Sequence, residues 1–169
     1  MATIIDNTYF INTELELPID NIDVQSFIDK HEPDILDKTL GVELADEFTA
    51  ALADTPAQKW LDLRDGKVYI DSSGNQQRYK GIKIIIADYV FFKTTKKKQT
   101  VSTDSGIKTQ ITDNAEKTSP RKDQVFAWND MVDRIVHLNG FINRTNSDTP
   151  DTYENYLPTL IEKRNIFNI

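Results

Sequence analysis

Apolar residues recur at helical spacing over most of this chain, interrupted by short β-prone stretches. Ile22, Val24, Phe27 and Ile28 define one face of a helix that opens near Asp20-Asn21, either of which can cap it. Glu32-Pro33 reads as a fresh start with Pro33 at the first helical position, which leaves His31 at a helix end. Ile35, Leu36 and Leu40 carry the stripe on, and Gly41 reads as its C-terminal stop. Leu44, Ala45, Phe48, Ala51 and Leu52 mark a third helix, broken at Asp54-Thr55-Pro56. Pro56 opens a fourth, which carries Trp60, Leu61 and Leu63 and ends at Asp65-Gly66.

Tyr69 and Ile70 precede Ser72-Ser73-Gly74-Asn75, so residues 67–79 predict a small hairpin or an exposed loop. The run from Gly81 to Phe92 fits two elements. Its β-branched content favours a strand, whereas its length and the positions of Ile82, Ile85, Ile86, Tyr89 and Val90 favour a buried helix. Asp88 fits a central strand poorly, and helix is the expectation. Thr100-Val101-Ser102-Thr103 and Ile107 to Ile111 flank Asp104-Ser105-Gly106 and predict a β-hairpin over residues 100–111, too poor in apolar residues to hold itself together in water. Ser119-Pro120 starts a long helix to about Asn143, lined by Val125, Phe126, Trp128, Asn129, Val132, Ile135, Val136, Leu138, Asn139 and Ile142. Tyr153, Tyr156, Leu157, Leu160 and Ile161 suggest a last helix, followed by an apolar tail of Ile166, Phe167 and Ile169.

The fold class expected is mainly α: a helical bundle with one long helix in the C-terminal half and a projecting β-hairpin. Residues 1–19 read as an extended N-terminal arm, 20–146 as the helical domain, and 147–169 as a C-terminal helix and tail. A length of 169 residues suits a single domain.

Composition narrows the function classes. Hydrophobic residues make up 38% of the chain, below the ~45–50% usual for globular proteins, which suggests a small core, a long projecting element, or surface that becomes buried only in an assembly. With no cysteine, disulfides and thiolate metal sites are excluded. The N-terminus lacks the basic and apolar regions of a signal peptide, and no apolar run reaches the ~18 residues of a membrane helix. The net charge of −7 is segregated: residues 1–60 hold 13 acids against 3 bases, and residues 61–98 hold 4 acids against 9 bases. An acidic chain is a poor general ligand for duplex DNA, yet the segregation permits association of copies, acidic part against basic part.

Catalytic patterns are absent. His31 and His137 are the two histidines, and no HExxH, Gly-x-Ser-x-Gly or phosphate-loop sequence occurs. Neither a catalytic residue, a metal site nor a cofactor is expected. Lys93, Lys96, Lys97 and Lys98 complement the dipole of a helix C-terminus, or else meet an acidic partner or phosphate. Thr100, Val101, Thr103, Gly106, Ile107 and Ile111 of the hairpin, with Ile166, Phe167 and Ile169, are the other candidate interaction residues.

Taken in order, Leu40-Gly41-Val42-Glu43-Leu44 then Phe48, a short Trp60 helix, Tyr79-Lys80-Gly81, Tyr89-Val90-Phe91-Phe92, Thr103-Asp104-Ser105-Gly106-Ile107, Asn114-Ala115, Ser119-Pro120 and Asn129 give a pattern that resembles the head–tail connector (adaptor or neck) proteins of tailed bacteriophages, including those of crAss-like and other Bacteroidales phages. The resemblance covers about residues 20–145. It implies a non-enzymatic virion protein, made in the host cytoplasm. Such a protein forms a homo-oligomeric ring, usually of twelve copies, below the portal protein, where it lengthens the channel for passing genomic DNA and docks other neck or tail proteins. The alternative is a small regulatory or binding module that contacts an acidic partner or nucleic acid through Lys93–Lys98.

Overall fold

The structure, a computed structural model, describes residues 3–10, 23–98, 100–103, 106–109 and 120–165. Among these residues five α-helices and two short hairpins follow in the order α1 (Val24–Leu40), α2 (Val42–Leu52), α3 (Gln58–Asp65), β1 (Lys67–Ile70), β2 (Gln76–Tyr79), α4 (Ile82–Lys98), β3 (Thr100–Thr103), β4 (Gly106–Thr109) and α5 (Pro120–Asp148). The expected mainly helical architecture, with its long C-terminal-half helix and hairpin, is present. α4 and α5 pack as the central pair, α1 lies on α4, and α2 folds back on α1.

α1 is continuous where the sequence suggested two helices. Pro33 sits inside it, so His31 is a mid-helix residue. A proline there removes one backbone hydrogen bond. Burial of Val24, Ile28, Ile35, Leu36 and Leu40 on one stripe outweighs that loss. Its N-cap is Asp23, whose carboxylate accepts from the Ser26 N–H, and Gly41 ends it at φ 86°.

Of the expected arm, residues 3–10 pack against α1, and residues 11–19 lie outside the described residues. Glu32, only 4% exposed, accepts the N–H of Ile4 at 2.8 Å and of Ile5 at 3.2 Å. Residues Asn7–Phe10 then form a 3₁₀ turn, and Ile5 and Phe10 join the core. Burial holds the Glu32 carboxyl above its ordinary range, opposed by these two N–H donors.

α4 buries Ile82, Ile85, Ile86, Ala87, Tyr89, Val90 and Phe92, nearly its whole circumference. A helix covered on all sides loses its polar stripe, which is why the sequence run resembled a strand. α5 buries Trp128, Met131, Val132, Ile135, Leu138, Phe141 and Ile142, whereas Phe126 and Val136 face outward. Gly140 lets Tyr69 of β1 approach, since a Cβ there would lie 2.8 Å from the Tyr69 hydroxyl oxygen.

The hairpins are separate two-stranded antiparallel sheets. β1–β2 is closed at its base by Gly66 and Gly81, both at positive φ. A Cβ on Gly81 would stand 2.5 Å from the Arg64 carbonyl oxygen, so two backbone segments meet there with no room for a side chain. β3–β4 pairs Thr100 with Thr109, Val101 with Lys108, Ser102 with Ile107 and Thr103 with Gly106.

The expected last helix over Tyr153–Ile161 does not form. After α5 the chain turns and returns as an irregular strap, residues 149–165. Pro158 cannot donate a helical hydrogen bond and disfavours helix in the residue before it. The neighbouring N–H groups instead serve α1: Leu157 donates to the Leu40 carbonyl at 3.1 Å and Thr159 to the Lys38 carbonyl at 2.8 Å. Two carbonyls orphaned at the end of α1 are thereby satisfied from across the molecule. Tyr153, 1% exposed, inserts between Trp60 and Phe141 and donates its hydroxyl to the Lys59 carbonyl at 2.7 Å.

Candidate interaction surface

Cations gather where α1, the C-terminal half of α4 and the strap meet. Phe92 and Trp128 pack at a tilt with centroids 4.9 Å apart, and Tyr89 lies 6.3 Å from Trp128. Their faces are covered by charge. Lys93 Nζ is 5.0 Å and Lys38 Nζ 5.7 Å from the Tyr89 ring, and Lys96 Nζ is 5.9 Å from Phe92. The Arg164 guanidinium lies 4.0 Å from Trp128 and 5.5 Å from Phe92. Each such contact is worth roughly 0.5–1 kcal/mol at an exposed site.

The strap fixes Arg164 in place. Its N–H donates to Asn129 Oδ1 at 2.8 Å, its carbonyl accepts from Asn129 Nδ2 at 3.0 Å, and Trp128 Nε1 donates to the Glu162 carbonyl at 2.8 Å. Asp34 is the carboxylate bonded into the cluster, pairing with Lys38 and accepting from the Tyr89 hydroxyl. Burial lowers the Lys93 pKa, and Lys38, Lys96 and Arg164 add to the effect while Asp34 opposes it. Burial likewise lowers His31, helped by Lys93 and Lys30. His31 is packed between Phe27 and Tyr89, with centroids 5.8 and 6.1 Å away. Because the aromatic faces are already occupied, the cluster offers charge to a partner but no rings for base stacking.

Of the candidate residues read from sequence, Lys96 belongs to this cluster, and the backbone of Lys97 and Lys98 completes the last turn of α4. Thr100, Val101, Thr103, Gly106 and Ile107 lie on the hairpin that follows directly. Ile111, Ile166, Phe167 and Ile169 lie outside the described residues. Lys38, Asp34, Tyr89, Trp128 and Arg164 were not singled out as interaction residues, because they come from distant parts of the chain and meet only in the folded structure, Arg164 through the strap.

A second concavity, of about 270 Å³, gathers His137 with Arg78, Lys80, Asp130, Asp133 and Arg134. Among its described lining residues there is no serine, threonine or cysteine to act as a nucleophile, and Asp133 pairs with Lys163 at 2.7 Å. Arg134 reaches from it to Asp88, which is 1% exposed and has no hydrogen-bond partner on Oδ1. Burial raises the Asp88 pKa to about 7 against the pull of Arg134.

Among the described residues no group of His, Cys, Asp and Glu side chains is placed to hold a metal ion, and no helix is long and apolar enough to cross a membrane. Comparison with protein-family models, curated proteins and solved structures finds no match to this chain.

Proposed function

We propose that this chain is a structural virion protein, a head–tail connector subunit that forms a ring below a portal protein, extends the DNA channel and docks neck or tail proteins. The observation that carries the reading is the β3–β4 hairpin. It is a two-stranded sheet of its own, inserted between the two central helices. An isolated pair of short strands is marginal in water, so the hairpin is accounted for best by a neighbour that completes it. The acidic net charge suits a conduit through which DNA slides without adhering.

The experiment is electron microscopy of the purified chain, alone and with its portal protein, beside a variant lacking Ser102–Lys108. Ring-shaped particles with an open channel are expected from the full chain. The deletion variant should remain folded and assemble poorly. Unchanged assembly without the hairpin would remove the basis of the proposal.

The cation cluster favours a second reading, a non-enzymatic binding module that meets an acidic partner or nucleic acid through Lys93 and Lys96. Salt-sensitive binding of duplex DNA by a chain that stays monomeric, lost in Lys96→Glu, would favour that reading over the ring.

A further inference from the structure

Charge is segregated in space as well as along the chain. On α1, Asp29 and Asp37 recur on the flank that faces α2, where they line a groove with Asp46, while Asp34 and Lys38 lie on the flank that faces α4. The cation cluster therefore occupies one side of α1 and the acidic surface the other.

Where the strap meets the C-terminal end of α1 and the start of α2, three apolar side chains are exposed among the described residues. Val42 is 60% exposed, Leu157 76% and Leu160 83%. Leu157 abuts the backbone of Gly41, beside Val42: a Cβ on Gly41 would lie 3.3 Å from the Leu157 Cβ. The strap is not loose at this place, because Leu157 and Thr159 are hydrogen-bonded to the end of α1. Two leucines are thus held outward by a strap pinned to the end of α1 at Leu157 and Thr159. Acids stand where α2 meets the strap: Glu43 follows Val42, Glu47 accepts from Asn155 at 3.0 Å, and Glu154 precedes Asn155.

We infer that this apolar patch of Val42, Leu157 and Leu160 docks onto the cation cluster of Lys93, Lys96 and Arg164 on a second copy of the chain. The contact is heterologous: each copy gives its patch to one neighbour and its cations to the other. Charge complementarity selects this occupant. Two patches facing each other would bring Glu43, Glu47 and Glu154 against their own copies, and like charges in apposition are penalised. A heterologous contact repeats from copy to copy and closes into a ring when the rotation allows. The inference deepens the connector reading and rests on its ring.

Two variants of the full chain test it by sedimentation velocity. One carries Leu157→Ser and Leu160→Ser, the other Lys93→Glu and Lys96→Glu, with circular dichroism as the check on folding. Each alone should lose higher association, weakening by about tenfold or more. Mixed together, the two variants retain one intact junction per pair, so the mixture should yield heterodimers and stop there. Raising the salt should weaken association of the unaltered chain. Oligomers that survive in both variants would overturn this assignment of faces while leaving the ring standing. Loss of association with no heterodimer on mixing would likewise overturn the heterologous contact. An unaltered chain that stays monomeric at all concentrations would overturn both. If the double charge reversal fails to fold, Lys96→Glu alone, at an exposed position, replaces it with the same outcomes.

Discussion

Replacing Tyr153 by alanine should cost this chain a large part of its stability, although the residue lies in a segment with no regular secondary structure. The ring is 1% exposed and sits about 6.0 Å from both Trp60 and Phe141, so its removal leaves a cavity between α3, α5 and the strap. Truncating a buried aromatic to alanine costs roughly 3–5 kcal/mol. Of this, about 0.5–1.5 kcal/mol belongs to the hydrogen bond to the Lys59 carbonyl. Tyr153→Phe isolates that share, because it keeps the ring and drops the hydroxyl. For a chain of this size the alanine variant should melt roughly 6–20 °C lower, and the phenylalanine variant only a few degrees lower. Urea unfolding followed by tryptophan fluorescence is the assay, since Trp60 is in direct ring contact. Equal losses in the two variants would mean that the hydroxyl and not the buried ring anchors the strap. An alanine midpoint within about 0.5 kcal/mol of the parent would refute the packing of the strap on the core.

Three further outcomes are expected. Gly81→Ala should destabilise by about 2 kcal/mol or more, because φ is +89° and the new Cβ would meet the Arg64 carbonyl oxygen at 2.5 Å; a neutral result in thermal melts would contradict the closed hairpin base. The folded chain holds the Asp88 proton more tightly than the unfolded one, about 7 against 3.8, so this group's effect on stability is unfavourable and grows as pH rises from about 4 to 7, then levels off. Asp88→Asn should flatten that part of the stability–pH curve, and an unchanged slope would show that Asp88 does not carry it. Lys93→Met should raise the His31 pKa by removing a cation that depresses it, as read by NMR titration; no movement would place Lys93 too far from the imidazole to matter.

What was legible in the sequence followed from local rules. Gly41, Pro56 and Asp65-Gly66 punctuate helices, and the Ser-Ser-Gly-Asn turn marks the first hairpin; both signals act within a few residues. Pro33 misled because its cost is local, whereas the compensation is burial along the whole of α1. Phe126 and Val136 were read as core because α5 is apolar beyond its buried stripe. The strap was misread for the opposite reason. Tyr153, Tyr156, Leu157 and Leu160 mimic helical spacing, yet Leu157 and Leu160 face solvent and the N–H groups of Leu157 and Thr159 are committed to carbonyls on α1. The cation cluster was half visible. Lys93 and Lys96 stood out as a run, but Lys38 and Arg164 join them only through tertiary structure.

The strap also orders events during synthesis. It is made after every helix that it clasps, and its partners on α1 lie more than a hundred residues earlier in the chain: Leu157 meets Leu40, and Thr159 meets Lys38. While translation proceeds, α1 therefore keeps open carbonyls and the groove between Trp60 and Phe141 lacks its tyrosine. The outward leucines and Arg164 do not yet exist. An unfinished chain can form its helices but lacks the two leucines of one side of the proposed copy-to-copy contact and the arginine of the other. On the proposed contact, late arrival of the strap would keep nascent chains from joining one another on the ribosome and reserve assembly for those that have finished folding.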